Sequence, residues 1–156
     1  MIYIAHRGLI DGPNTDLENN PEHIDSIVKL GYDAEIDLWT YETNGKYQLL
    51  LGHDEGKYQV DYHWLAGKPF WIHAKNLAAL HWLTKHKRSF NYFWHQNDEY
   101  TLTSEGFIWT YPYKELTENS ICVQPEWNPD INLREFNPIC YGICSKYVSI
   151  IKQNHK

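Results

Sequence analysis

Glu35-Ile36-Asp37 sets two carboxylates two residues apart, and His73-Ala74-Lys75 sets an imidazole and an ammonium at the same spacing. On an extended strand, residues two apart share a face. Carboxylates so placed repel unless something neutralises them, and hard oxygen ligands suit Mg²⁺ or Ca²⁺. The plainer reading of the pair is two solvated carboxylates on an exposed face. His6-Arg7-Gly8 closes one apolar run, and His53-Asp54 follows Gly52 at the close of another. Arginine offers a planar fork for two phosphate oxygens, and histidine moves a proton near neutral pH. The alternatives here are a turn with a surface arginine and an aspartate that caps a turn. His95, after Phe93-Trp94, and Glu126, after Gln124-Pro125, end two further apolar runs. His95 reads as a hydrogen-bonded core or rim histidine or as a secondary site residue, and Glu126 as a rim residue or a spare metal ligand.

The elements that must position these groups are legible in the first half. Residues 2–5 form a short β-type run, followed by a Gly/Pro/Asn/Asp-rich loop over 11–20. Asn20 as cap, Pro21 at the first position, an apolar face of Ile24, Ile27 and Val28, and Gly31 as stop predict a helix. Strand patterns over 33–39 and 47–51 flank Asn44-Gly45, a hairpin turn signal. Residues 70–75 read as another strand, and Asn76 caps a helix to about residue 87 along a line of Leu77, Leu80 and Leu83. Short strands are expected in NYFWHQ, GFIWTY, SICVQPE and YGICS, with a last helical stretch over 146–153. The early alternation of strands and helices predicts an α/β fold with a mostly parallel sheet. In such folds the carboxyl ends of strands carry the sites.

In order, HRG, Glu18-Asn19 before a helix, GYDAEIDLW, NG and GHD resemble the signature of glycerophosphodiester phosphodiesterases, which are phospholipase C-like phosphodiesterases. The resemblance is strong over residues 2–54, weaker through Lys75, and returns in GICSKY near the end. It implies a (β/α) TIM-type barrel, here reduced, with shortened or missing helices, because about 250 residues are usual for the full form. It makes His6 and His53 the acid–base pair, Arg7 and Lys75 the phosphate contacts, and Glu35 and Asp37 metal ligands, with Asn19 a secondary candidate. The family's third ligand is a glutamate where this chain has His73, which suits Mn²⁺ or Zn²⁺ better than Ca²⁺. The chain also has Ser145-Lys146 where the family has an aspartate after Thr or Ser. The implied activity is metal-dependent hydrolysis of a small glycerophosphodiester. The competing expectation is a catalytically weak or inactive phosphodiester-binding relative.

The remaining properties bound this reading. With 156 residues the chain is expected to form one domain, residues 1–156. Lys and Arg number 14 against 20 Asp and Glu, and no basic tract stands out, which argues against a nucleic-acid partner. No apolar run reaches the ~18 residues of a membrane span. Cys122, Cys140 and Cys144 show no metal-finger spacing and Met1 opens no apolar leader, so reduced thiols and a cytoplasmic protein are expected. A glycosidase built on Glu35 and Asp37 is disfavoured, because its two carboxyls must lie on opposite sides of the scissile bond.

Overall fold

A computed structural model describes residues 1–155. In chain order the elements are β1 (Ile2–Ala5), α1 (Pro21–Lys29), β2 (Asp33–Thr43), β3 (Lys46–Leu51), β4 (Tyr58–Val60), α2 (Tyr62–Leu65) and β5 (Phe70–Ala74). There follow α3 (Leu77–Lys85), β6 (Asn91–Phe93), β7 (Tyr100–Leu102), β8 (Ile108–Thr110), β9 (Ser120–Val123), β10 (Gly142–Ser145) and α4 (Val148–Asn154). All strands among the described residues belong to one ten-stranded mixed sheet. Parallel ladders run in the order β6-β5-β2-β1-β10-β9-β8. Antiparallel ladders add β3 to β2, β4 to β3 and β7 to β8.

The expected reduced (β/α) TIM-type barrel is therefore corrected. Among the described residues the chain forms a mixed sheet with only four short α-helices, and these do not alternate with the strands. The Asn44-Gly45 turn folds β3 straight back on β2, and β4 continues that meander. In the second half, Pro112, Pro125, Pro129 and Pro138 punctuate the connections around β9. Proline removes an amide donor and clashes with the preceding helical turn, so these connections stay irregular. Among the described residues no ladder joins β6 to β8. The two strands instead meet through side chains, with Phe93 stacked on Trp109 at 4.4 Å between ring centroids.

Alternation along the strands separates two packed layers. Ala34, Ile36 and Leu38 of β2 and Phe70, Ile72 and Ala74 of β5 pack against Ile24 of α1 and Ala79, Trp82 and Leu83 of α3. On the opposite face Ile4, Trp71, Phe93, Trp109, Ile121, Val123 and Cys144 form a second cluster. Burying apolar area of this kind contributes about 25 cal/mol per Å² and is the main favourable term in the fold. Helix α3 departs from the expected leucine line. Leu77 is 78% exposed, and Trp82 takes its place in the core. Asn76 caps α3 by accepting from Ala79 N–H at 2.8 Å, and its amide donates to Thr40 O at 3.0 Å, tying the helix to the end of β2. Asn20 accepts from the Glu22 and His23 amides at the start of α1, as its type predicts. No helix among the described residues is long and apolar enough to cross a membrane.

Candidate metal and phosphate site

Glu35 and Asp37 lie on the same face of β2, and register places Glu35 opposite Trp71 and Asp37 opposite His73 on β5. Both carboxylates are buried, at 2% and 1% exposure, so the solvated alternative is not what forms. The His6–Gly8 segment is one turn of 3₁₀-helix in which Arg7 takes a left-handed conformation, φ 54°. Its amide then donates to Glu35 Oε2 at 2.9 Å. Gly8 permits this turn: a Cβ there would fall 2.6 Å from Ile24 Cγ1. His53 is positioned by a second tight turn, because a Cβ on Gly52 would sit 1.9 Å from the Glu55 carbonyl oxygen. Trp39 Nε1–H holds that turn by donating to Gly52 O at 2.7 Å.

Asp37 is the hub. Its Oδ2 accepts from Asn19 Nδ2 at 3.0 Å, while Asn19 Oδ1 accepts the Asp37 amide at 2.9 Å. Asn19 is fully buried with φ 58°, a conformation asparagine tolerates. Arg7 Nε and His53 Nδ1 approach the same oxygen at 3.4 and 3.5 Å, and His73 Nδ1 and Lys75 Nζ approach Oδ1 at 3.1 and 3.4 Å. Arg7 Nη2 also donates to His53 Nε2 at 3.1 Å. A guanidinium only donates, so that nitrogen accepts and the His53 proton lies on Nδ1, toward Asp37.

His73 carries the strongest indication of a cation. Its Nε2 lies 2.8 Å from the His95 carbonyl oxygen, which can only accept, so the proton is on Nε2. The other nitrogen faces Asp37 Oδ1 at 3.1 Å and Glu35 Oε1 at 3.9 Å. A neutral imidazole would there set a lone pair against two carboxylates, an arrangement relieved by protonation or by a cation among the three. Ligand atoms of Glu35, Asp37 and His73 all lie within 4.8 Å of one another. Metal–ligand distances of about 2.0–2.6 Å fit that spacing. A backbone carbonyl behind a histidine is also the usual way of fixing a metal ligand's tautomer.

The electrostatics agree with two negative charges forced together. Burial, and then the Asp37 charge, raise Glu35 from 4.5 to about 7. Burial would raise Asp37 too, but His53, His73 and Lys75 outweigh it and hold that carboxyl well below its ordinary range. Burial, with Arg7 beside it, pushes His6 well below its ordinary value, so its imidazole is neutral, and its Nε2 lies 3.8 Å from Glu35 Oε2.

His6, Arg7, Glu35, Asp37, His53, His73, Lys75 and His95 all line one cavity of about 650 Å³. Glu126 does not line it: its carboxylate accepts from Ser145 Oγ at 2.8 Å and from the Lys146 amide at 3.0 Å. Sequence reasoning gave no site role to Glu18 and Lys146. Arg7 Nη1 donates to Glu18 at 3.1 Å and Lys146 bonds the other oxygen of the same carboxylate. The EN pair pointed to Glu18, but its partner lies at the far end of the chain. Tyr111, Gln124 and Trp127, also in the cavity wall, carried no sequence signal beyond their types.

No family model, curated protein or solved structure matches this chain. The site is thus defined by its own chemistry: a buried carboxylate pair with an imidazole, flanked by two cationic side chains and two further histidines.

Proposed function

We propose that the protein is a metal-dependent phosphodiesterase acting on a small glycerophosphodiester, like the glycerophosphodiester phosphodiesterases its motifs resemble. The observation that carries this reading is the convergence of His6, Arg7, Glu35, Asp37, His53, His73 and Lys75 on one cavity. Glu35, Asp37 and His73 would hold the cation, Mg²⁺ or Ca²⁺ by resemblance and Mn²⁺ or Zn²⁺ by the imidazole. When bound it supplies charge neutralisation at the phosphoryl oxygens. Arg7 and Lys75, both 3.4 Å from Asp37, would share those oxygens.

Arg7 occupies His53 Nε2 in the free protein, so turning its fork onto a phosphate would release that nitrogen for proton transfer. One of His6 and His53 takes the proton of the attacking hydroxyl, from water or from the substrate's own adjacent alcohol. The other returns a proton to the departing alkoxide as its P–O bond breaks. Acid–base catalysis of this kind is worth about 10²–10⁴-fold. Three free cysteines suit a reducing compartment, and cytoplasmic location is proposed with the activity.

His6→Ala and His53→Ala test the assignment through hydrolysis of glycerophosphodiesters. Each should lose about 10²-fold or more in kcat while keeping its cooperative unfolding transition. Full activity in both variants removes the acid–base roles. Tight binding of the diester by the wild type without product would favour the inactive, phosphodiester-binding alternative.

A further inference from the structure

The cavity has a second end that the proposed chemistry leaves unused. Trp127 and Tyr111 meet there edge to face, at 85° and 6.1 Å between centroids, and both line the cavity. His95 stacks on Tyr111 at 5.6 Å, bracing that ring. Trp127 is 49% exposed, an unusual fraction for a large aromatic beside a polar site. Gln96, Asn97 and Gln124 line the same cavity, and among the described residues none of their side-chain amides makes a hydrogen bond within the protein. Gln124 is only 8% exposed, and its backbone is held left-handed at φ 45° as it leads into the turn that presents Trp127.

Charge distinguishes the possible occupants. Among the described residues Glu35 and Asp37 are the only carboxylates in the lining. Asp37 is engaged by Arg7, His53, His73 and Lys75, and Glu35 accepts from the Arg7 amide and faces His6 and His73. Glu126, next to Trp127, is turned away onto Ser145 and Lys146. A choline or ethanolamine group would therefore find no free negative charge there. A hydroxylated ring fits better, because its C–H face packs on an aromatic plane while its hydroxyls pair with carboxamides, which both donate and accept. We infer that this end binds the ring of a sugar- or cyclitol-bearing phosphodiester, with Tyr111 and Trp127 as the platform and Gln96, Asn97 and Gln124 as hydroxyl partners. The inference rests on the phosphodiester reading of the adjoining site.

Calorimetric titration with glycerophosphoinositol and glycerophosphocholine, in excess Mg²⁺, tests it alongside initial hydrolysis rates for both. The wild type should bind the inositol ester about tenfold tighter. Trp127→Ala, and separately Asn97→Ala at an exposed loop position, should erase that preference and leave choline-ester affinity within about twofold. Equal or tighter binding of the choline ester, equal weakening of both ligands in the variants, or no binding of either overturns the inference. Selective binding without hydrolysis of either ester supports it while removing the catalytic reading. Hydrolysis of both with no preference does the reverse.

Discussion

Replacing Glu35 by Gln should stabilise the metal-free protein, by an amount that grows as pH rises from about 4.5 and levels off above about 7. The carboxyl is 2% exposed, and burial plus the neighbouring Asp37 raise it from 4.5 to about 7. A carboxyl raised on folding carries no penalty below 4.5, where it is protonated in both states. As pH rises from 4.5 to about 7 the unfolded chain releases its proton first, and the folded state loses stability relative to it. At about 1.4 kcal/mol per pH unit, the accumulated loss above pH 7 is about 3 kcal/mol. Gln stays neutral and keeps an oxygen to accept from the Arg7 amide. Urea unfolding in chelator should thus show near-equal stabilities at pH 4, and a variant more stable by up to about 3 kcal/mol at pH 8. Saturating Mg²⁺ or Mn²⁺ should close the gap by stabilising the wild type alone. A difference between the two proteins that does not change with pH would refute the reasoning, because it would mean that Glu35 carries no electrostatic strain.

Other expectations follow from single contacts. His73→Glu should move metal preference from Mn²⁺ or Zn²⁺ toward Mg²⁺ or Ca²⁺ in a metal titration; an unchanged profile means His73 only packs there. Asn76→Ala loses the α3 cap and the bond to Thr40 O, and urea unfolding should register a loss of about 1–2 kcal/mol. A loss within experimental error would show the cap to be redundant. Burial pushes Cys122 to about 12 and raises Cys140 and Cys144, with Cys144 fully buried. Alkylation near pH 8, followed by mass spectrometry, should therefore label half-buried Cys140 ahead of the other two, and native labelling of Cys144 would contradict its placement.

The first half of the fold was legible because its signals are local. Asn20-Pro21, Asn44-Gly45 and Asn76 each act on the backbone within a few residues, and the structure uses each where the types predict. The elements β4, α2 and β7 were missed, since three or four residues carry little periodicity and these lack the flanking apolar runs that marked the equally short β1, β6, β8, β9 and β10. Global architecture failed for a related reason. Alternation over the first half suggested a reduced barrel with some helices shortened or missing, whereas in the proline-punctuated second half β6 to β10 follow one another with no α-helix between them. Period-two spacing put Glu35 with Asp37 on one face, as β2 has them, and the register of β5, which spacing does not give, sets His73 opposite Asp37. What it could not reveal were pairings between distant segments, such as Glu18 with Lys146, or the turning of Glu126 onto Ser145. Those depend on which strands become neighbours, and β1 lies between β2 and β10 only in the folded sheet.

The central claim is tested most directly by ³¹P NMR of glycerophosphodiesters incubated with the wild-type protein, with and without chelator. Metal-dependent conversion of the diester resonance to a monoester or cyclic product, abolished by chelator and restored by added divalent cation, is the predicted result. A diester resonance unchanged across Mg²⁺, Ca²⁺, Mn²⁺ and Zn²⁺, or turnover indifferent to chelator, would contradict the account.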